Sequence, residues 1–488
     1  MRKIAVLALL CFTVWSCKQG TEKDNTAEPE GSETSEMTRK PERIRITDTD
    51  LESTVIYEAN IRQYSPEGTF DAFTKDIPQL KELGVKVIWL MPVHPVSMVK
   101  RKATNDSSIE DITDLEERKK YLGSYYSVAD YKAVNPDYGT MEDFRELVRT
   151  AHDNGMYVII DWVPNHTGWD HPWITEHPEY YTKNEEGEIT DPLNDDGEPW
   201  GWTDVADLNY DNMEMQEAMI DAMKFWIVQE GIDGFRCDVA HSVPLQFWEK
   251  AIPALRSEKS IFMLAEAELP EIMTNDLFEM SYAWEFHHLL NAIAKGEKGV
   301  SDFDSYMKDE QEKWASDDIL MRFVTNHDEN SWAGTVNERM GDASETLLAL
   351  TYCVPGMPLV YSGQEYDLNH RLKFFEKDQI PKDKGKTWEV LSRLGTLKNT
   401  YPALSGGKNP ASYERLNTGN DKILAFQRMK GDSKLFYVAN MSGTAQEVMM
   451  DWKLDGATWN PVLNDEIIIV SDEPMELAPW EYHILIKK

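Results

Sequence analysis

The sequence predicts a (β/α)8 barrel, the TIM barrel, with a short excursion after strand 3 and a C-terminal all-β domain. From about residue 53, short apolar runs alternate with amphipathic segments, which is typical of parallel strands buried on both faces. Eight such units over about 350 residues indicate a closed barrel. A doubly wound open sheet is the alternative, but no Gly-x-Gly-x-x-Gly motif follows a strand.

Each barrel strand is predicted from a short apolar run bounded by polar or turn residues. In chain order, the runs are Thr54–Ala59, Val85–Met91, Tyr157–Asp161, Gly234–Asp238, Ser260–Ala265, a weaker run near Leu277–Tyr282, Leu320–Val324 and Pro358–Tyr361. Helical spacing of apolar residues predicts helices over Phe70–Leu83, Glu142–Asn154, Glu214–Gln229 and Trp388–Thr400. Gly155 follows the second helix at the position of a C-cap.

The pattern changes after about residue 402, where turn residues separate short strands. These strands are predicted at Lys422–Lys430, Lys434–Asn440, Glu447–Met450, Glu466–Val470 and Glu481–Lys487. We interpret this region as a β sandwich. The predicted boundaries are 49–402 for the barrel, with the excursion at about 167–206, and 403–488 for the C-terminal domain.

The N-terminus has the pattern of a targeting segment. Two basic residues precede the apolar run Ile4–Trp15, which is shorter than the ~20 residues of a membrane span and fits a secretory signal. Ser16-Cys17 resembles a bacterial lipoprotein cleavage site, although Trp15 is bulky for that motif and an ordinary secretory signal is the alternative. We therefore predict a signal over 1–17, a lipid anchor on Cys17, a disordered tether over 18–48, and export to the bacterial cell envelope, periplasmic or associated with the outer membrane.

Composition restricts the class of partner. A formal net charge of −36 argues against nucleic acid and anionic membranes, which bind clustered Lys and Arg, so membrane contact is expected only through the lipid anchor. A neutral ligand is compatible with this charge. The 16 Trp and 20 Tyr suit sugar rings, but they also suit a large core. Cys237 and Cys353 are expected as buried free thiols, and no CxxC or HExxH metal spacing appears.

Acidic residues follow four of the predicted strands. They are Asp161, Asp238, Glu266 and Asp328, after strands 3, 4, 5 and 7. An acid at one strand end is common, because caps and turns use Asp. In TIM barrels, however, catalytic groups lie at the carboxyl ends of the strands. The set therefore indicates a catalytic cluster at the barrel mouth.

Strand alternation supports a division of roles between two of these acids. Arg236 and Asp238 are two residues apart and point the same way, so the guanidinium is expected to lower the pKa of Asp238. Glu266 follows an apolar run, where burial is expected to raise its pKa. Two carboxyls with pKa values pushed apart are what glycoside hydrolysis uses. A purely structural salt bridge between Arg236 and Asp238 is the alternative.

The motifs around these acids resemble a known family. In chain order, DWVPNH (161–166), GFRCD (234–238), Glu266 of LAEAE and FVTNHD (323–328) resemble the four signature regions of glycoside hydrolase family 13, the α-amylase family. ADLN (206–209) resembles a fifth region, and residues 124–140 resemble the second-strand loop. The resemblance runs from about residue 53 to 488.

The resemblance implies a role for each matching residue. Asp238 would be the nucleophile, Glu266 the general acid/base, and Asp328 the third carboxylate, which binds hydroxyls of the sugar that is cleaved. Of the matched substrate-binding residues, His166 and His327 would hydrogen-bond the same sugar and Tyr126 would stack under its ring. Arg236 would orient Asp238, and His241 would contact the next sugar on the leaving side. No cofactor is needed for this chemistry. Asn165 matches a side-chain ligand of the family's structural calcium, but Ser242 replaces a frequent His and the excursion is short, so the case for calcium is weak.

The bond that is cleaved is less defined than the reaction class. Val239, directly after the nucleophile, resembles members that act on α-1,6 bonds or on both α-1,4 and α-1,6 bonds. Asp367 and Arg371 are candidates for substrate contacts, with loop structure as the alternative. The long, charged loop Val93–Leu122 is a candidate for the substrate site, with a disordered insertion as the alternative. The main hypothesis is a retaining hydrolase of starch, glycogen or maltooligosaccharides. The alternatives are an α-glucan transglycosylase of the same family and an inactive glycan-binding lipoprotein.

Overall fold

The computed structural model describes residues 46–194, 196–449, 459–461 and 474–487. Eight parallel strands close into a barrel in which each strand pairs with its neighbours along the chain and the last pairs with the first. They are β1 (Val55–Ala59), β2 (Val85–Leu90), β3 (Tyr157–Trp162), β4 (Gly234–Cys237), β5 (Phe262–Ala265), β6 (Met280–Tyr282), β7 (Ile319–Arg322) and β8 (Met357–Tyr361). The predicted TIM barrel is confirmed.

Helices surround the barrel and fill the loops above it. The α-helices are Asp48–Leu51, Ile61–Tyr64, Phe70–Thr74, Ile77–Leu80, Leu115–Arg118, Met141–Asp153, Pro172–Glu176, Met213–Val228, Leu245–Arg256, Trp284–Ala294, Val300–Lys313, Val336–Met340, Ser344–Cys353 and Lys386–Thr400. The single helix predicted over Phe70–Leu83 is wrong. Pro78 cannot donate to the carbonyl of Thr74, so the helix stops there and restarts at Ile77.

Shorter helical turns connect these elements. The 3-10 turns are Lys81–Leu83, Ile109–Asp111, Pro178–Tyr180, Ala240–Ser242, Pro270–Asp276, Gly341–Ala343, Gln364–Tyr366 and Pro402–Leu404, and a π-helical turn covers Glu329–Ala333. No helix of the described residues is long and apolar enough to cross a membrane. The predicted signal and most of the predicted tether lie outside the described residues.

The core has two layers because side chains alternate along each strand. Val87 and Trp89 face the barrel interior, while Ile88 and Leu90 pack against the helices. Cys237 belongs to the outer layer, as the alternation on β4 predicts, and it is a buried free thiol like Cys353.

After the barrel the chain is all β. The strands are β9 (Ser412–Arg415), β10 (Ile423–Lys430), β11 (Ser433–Asn440), β12 (Gln446–Val448), β13 (Trp459–Pro461), β14 (Met475–Leu477) and β15 (Tyr482–Lys487). They form one sheet of order β9-β10-β11-β15-β13 and a second, two-stranded sheet β12-β14. Three short strands, β9, β13 and β14, were not predicted. The predicted strand Glu466–Val470 and the last residue of Glu447–Met450 lie outside the described residues.

The excursion leaves the barrel after β3. Two three-residue strands, His166–Gly168 and Val205–Asp207, pair in antiparallel fashion and bring its ends together. The loop after β2 carries two further short strands, Lys102–Thr104 and Ser107–Ser108. A Cβ at Gly168 would lie 2.4 Å from the Cβ of Ser97, so the excursion packs closely against that loop.

Candidate active site

Arg236 is the centre of the cluster at the barrel mouth. Its side chain is fully buried, and Nη1 donates to Asp161 Oδ1 at 2.9 Å and to Asp238 Oδ1 at 2.8 Å. Nη2 lies 2.9 Å from Glu266 Oε1, which completes an ion pair with a third acid. Nε donates to the hydroxyl of Tyr282 at 3.2 Å. The salt bridge expected between Arg236 and Asp238 exists, but three carboxylates from β3, β4 and β5 share the guanidinium.

Glu266 is held from a second direction by the backbone. The N–H of Val239 donates to Glu266 Oε2 at 2.7 Å. Val239 adopts a left-handed conformation with φ of 36°, which is strained for a β-branched residue. This strained turn directly follows Asp238 and holds Glu266 through its N–H, so it places both carboxyls at one cavity.

The pKa shifts are opposite to those expected from the sequence. Burial, followed by the charge of Glu266, raises the pKa of Asp238 well above its usual range. Burial also opposes ionisation of Glu266, but the charge of Arg236 and the Val239 N–H outweigh it and lower the pKa of that carboxyl. Burial raises the pKa of Asp161 to about 6. The expectation failed because the strand pattern did not show that Arg236 also pairs with Glu266.

His327 lies beside the carboxylates in a fully buried position. Its Nδ1 is 2.6 Å from Glu58 Oε1, and its Nε2 is 2.7 Å from the Tyr126 hydroxyl and 3.4 Å from Asp328 Oδ2. Burial alone would lower the pKa of His327, but the charges of Asp328 and Glu58 raise it to about 9. His327 is therefore a cation at neutral pH.

Glu58 was not predicted as a site residue. It lies in the middle of β1, all of whose residues are buried, and it is itself 0% exposed. An ionisable residue inside an otherwise apolar strand is rare unless it is paired, so TVIYEA (54–59) contained the signal.

Asp328 reaches the open part of the site. Its side chain is 37% exposed, whereas that of Asp238 is 10% exposed. The π-helical turn that follows is anchored by Glu329, which lies 2.9 Å from Nε2 of His287 and 3.5 Å from Nη1 of Arg339. His287 is thus part of the scaffold behind Asp328.

One cavity joins most of the predicted site residues. Asp238, Glu266, Asp328, Tyr126, His166, His327 and Val239 line it. Lys102 and Asn105 of the long loop Val93–Leu122 also line it, as do Trp202, Asp204 and Val205 of the excursion. Further lining residues were not predicted for the site, namely Ser124, Trp332, Phe374 and Phe375. Arg236 lies behind the carboxylates rather than on the cavity wall. His241 is exposed at the rim, with Nδ1 3.2 Å from the backbone oxygen of Glu266.

The long loop after β2 and the excursion form one wall of this cavity. Lys102 Nζ lies 3.7 Å from Asp204 Oδ1 and donates to the carbonyl of Gly201 at 3.2 Å. Trp202 faces the cavity, contacts His166 edge-on, and is covered on its other side by the parallel ring of Trp200. The long loop after β2 and the excursion therefore form one continuous wall of the cavity.

Other predicted contacts belong to the scaffold. Asp367 accepts the Thr387 N–H at 3.2 Å and so caps the helix Lys386–Thr400. Arg371 forms an exposed ion pair with Glu338 at 2.9 Å. Neither residue lines the cavity that holds the three carboxylates, so loop structure accounts for both.

The residues around Asn165 fit a calcium ion poorly. Its side-chain nitrogen lies 3.3 Å from Nδ1 of His166, and its backbone oxygen accepts the Leu208 N–H. Within the described ranges, no three His, Cys, Asp or Glu side chains are placed to hold a metal ion together. We assign no step to a metal.

Comparison with known proteins agrees with the geometry. The family model "Alpha amylase, catalytic domain" matches residues 36–395. The "Alpha-amylase MalA" of Haloarcula japonica is 26% identical over 422 residues, which are 83% of this chain and 58% of the relative. The "Alpha-1,4-glucan:maltose-1-phosphate maltosyltransferase" of Picrophilus torridus is 24% identical over 412 residues, 80% of this chain and 62% of the relative. The chain thus spans about three fifths of the length of these two relatives.

Solved structures are similar over most of the chain. An α-amylase from Lactobacillus plantarum has a TM-score of 0.76 and 27% identity, covering 90% of this chain and 100% of its own. A "noncanonic maltogenic alpha-amylase AmyB" from Thermotoga neapolitana has a TM-score of 0.76 and 26% identity, covering 90% of this chain and 99% of its own. The barrel and the β domain after it are therefore shared features.

Proposed function

The chain belongs to the α-amylase family, and from this premise we propose that it is a retaining α-glucoside hydrolase that acts on starch, glycogen or maltooligosaccharides. The observation that carries the proposal is the position of Asp238 and Glu266. Both bind one buried guanidinium, both line one cavity, and Asp328 lines the same cavity. Retaining glycoside hydrolysis uses two close carboxyls in this way.

In the proposed reaction, a carboxylate oxygen of Asp238 attacks the anomeric carbon while Glu266 gives its proton to the leaving oxygen. The glycosidic bond breaks, and a covalent glycosyl-enzyme forms with inverted configuration. Glu266, now ionised, then takes a proton from a water that attacks the same carbon and releases Asp238. Two inversions give net retention.

The pKa directions of the two carboxyls in the free protein are the reverse of those that this reaction uses. Asp238 has the raised pKa and Glu266 the lowered one. Substrate in the cavity would remove water from the Glu266 carboxyl and so disfavour its charge. We therefore propose that substrate binding shifts the proton toward Glu266 and leaves Asp238 ionised on Arg236.

The test is product analysis with starch, pullulan and maltotriose as substrates. Chromatography shows which bonds are cut, and NMR during the first turnovers shows the anomer. The α anomer is expected first; initial β anomer would contradict the retaining assignment. Glu266→Gln and Asp238→Asn are the matched controls for contaminating activity. We propose cleavage of α-1,4 bonds with α-1,6 bonds as a further substrate, because Val239, directly after the nucleophile, resembles the residue of family members that act on both bonds, and it lines the cavity.

Transglycosylation is the second candidate, since one similar protein is named a maltosyltransferase. Such an enzyme passes the glycosyl group to a sugar hydroxyl instead of water. Incubation of maltotriose with excess maltose separates the two: longer oligosaccharides as main products indicate transfer, whereas glucose and maltose indicate hydrolysis.

We also propose that the protein is exported and held at the bacterial cell envelope by a lipid on Cys17. The support is the apolar run before Ser16-Cys17. Labelling of cells with radioactive palmitate is expected to mark the wild-type protein and not Cys17→Ser. A labelled variant, or an unlabelled wild type, would contradict the anchor.

A further inference from the structure

Three aromatic residues form a shelf at one side of the cavity, and the proposed chemistry leaves them without a role. The aromatic shelf consists of Trp332, Phe374 and Phe375, which all line the cavity of the three carboxylates. The Trp332 ring packs on Phe374 at 5.0 Å and on Phe375 at 6.1 Å. Trp332 is 42% exposed, which is unusual for so large an apolar side chain in a walled site.

The shelf is fixed in place before any ligand binds. Phe374 lies nearly parallel to Tyr126, at 6.5 Å and 10°, so the shelf continues onto a ring that already faces the reacting sugar. The N–H of Leu372 donates to Asn330 Oδ1 at 2.8 Å, which ties the Phe374 loop to the turn carrying Trp332. The carbonyl of Phe374 accepts from Arg62 at 3.1 Å. A ligand would therefore bind a surface that is already ordered, and little conformational entropy would be lost on binding.

The shelf and Asp328 are carried by the loops after β7 and β8, whereas the acid Glu266 follows β5. Trp332 is four residues after Asp328, on the loop after β7, and the two Phe residues are on the loop after β8. Glu266 follows β5, and the bond that breaks must lie next to it. The sugar over Tyr126 and Asp328 is therefore the one whose glycosidic bond is cut, and the next unit on its non-leaving side extends toward the shelf.

We propose that the aromatic shelf binds the glucosyl unit adjacent to the cleaved one, on the non-leaving side, with the Trp332 ring against the C–H face of the sugar. This inference rests on the proposed function. The sugar face is apolar and an indole is flat and only partly covered, so their contact removes apolar area from water. The shelf would make the protein select substrates with at least two glucosyl units on that side.

The test compares p-nitrophenyl α-glucoside with p-nitrophenyl α-maltoside, which share a leaving group and differ by that one unit. For Trp332→Ala, kcat/KM for nitrophenol release from the maltoside is expected to fall about tenfold, and that for the glucoside to stay within about twofold. Trp332→Phe keeps a flat ring and is expected to retain most of the preference. Met213→Ala, at an exposed apolar residue that does not line this cavity, is the control for general effects.

The proposal would be overturned if Trp332→Ala left the ratio of the two kcat/KM values unchanged. This holds whether neither value falls or both fall equally, and an equal fall would indicate a structural role. A wild-type protein that cleaves neither substrate nor maltotriose fails the proposed function instead. Calorimetric titration of maltotriose into Glu266→Gln, with and without Trp332→Ala, measures the contact without turnover. About tenfold weaker binding in the double variant supports the shelf, and equal binding overturns it.

Discussion

Nδ1 of His327 lies 2.6 Å from Oε1 of Glu58, a carboxylate that is completely buried in the first barrel strand. This pair connects the start of the barrel to its seventh strand and keeps the imidazole charged beside Asp328. The charged ring has N–H groups on both sides, so it can donate to Glu58 and, through Nε2, toward the Tyr126 hydroxyl. The pair thus fixes the orientation of a ring that the reacting sugar is expected to contact.

The charge on His327 should make the stability of the fold depend on pH. The pKa of His327 is raised to about 9 in the folded protein, against ~6.5 when unfolded. A raised pKa stabilises the fold fully below about pH 6.5, and the contribution is lost as pH rises toward about 9. The difference in free energy of unfolding between wild type and His327→Gln should therefore shrink between these values, by on the order of 3 kcal/mol. Urea denaturation at several pH values measures it.

His166 provides the matched control for this prediction. It is buried in the same site, but burial lowers its pKa to about 4, so it stays neutral over the tested range. His166→Gln should differ from wild type by a nearly constant amount between about pH 7.5 and 9, because above that range's lower limit the imidazole is neutral in both the folded and the unfolded protein. A constant difference for His327→Gln as well would show that His327 is neutral. Glu58, Asp328, Arg236 and Tyr126 face His327 and keep their identities in both variants.

Asp238 should be required for activity but should lower the stability of the fold. Asp238→Asn should lose activity by about a thousandfold or more, because an amide is a poor nucleophile. The same variant should be more heat-stable than wild type, since it removes a charge that burial and Glu266 disfavour. The raised pKa means that this gain grows as pH rises above about 4. Calorimetry at pH 5 and 8 checks the sign; lower stability with retained turnover would place the nucleophile elsewhere.

The sequence predicted the barrel because eight apolar runs and their polar ends obey a simple alternation. It predicted the members of the cluster for the same reason, since Asp161, Arg236, Asp238 and Glu266 lie near or directly after the carboxyl ends of neighbouring strands. It did not predict which acid each guanidinium nitrogen would contact, so both pKa directions were wrong. Contacts between loops far apart in the chain, such as Trp332 with Phe374, carry no local pattern and were missed.

The surroundings of Asn165 predict that activity and stability do not depend on calcium. Asn165 turns its side-chain nitrogen toward His166, and the described residues gather no acidic cage around it. Treatment with excess EDTA followed by dialysis should therefore leave activity on maltotriose and the melting temperature nearly unchanged. A loss of several degrees that added Ca²⁺ restores, and Mg²⁺ does not, would establish a structural calcium site.

Arg236 should stabilise the fold through its ion pairs with three acids. Arg236 is the cation of three buried carboxylates, so Arg236→Met leaves them close together without a counter-charge. Breaking one partner out of a buried ion pair costs about 3–5 kcal/mol, and the loss here should be at least that large at pH 8. Without the cation, the pKa values of all three acids should rise, so protonation at pH 5 should recover part of the stability.

Arg322 supplies the comparison for Arg236, because it is equally buried but pairs with a single acid, Glu310, at 2.6 Å. Arg322→Met should also destabilise the protein, but its deficit should change less between pH 5 and 8, because it removes the counter-charge of one carboxylate instead of three. Thermal unfolding of both variants at the two pH values gives the contrast. Equal pH dependence would mean that the charges of Asp161, Asp238 and Glu266 do not depend jointly on Arg236.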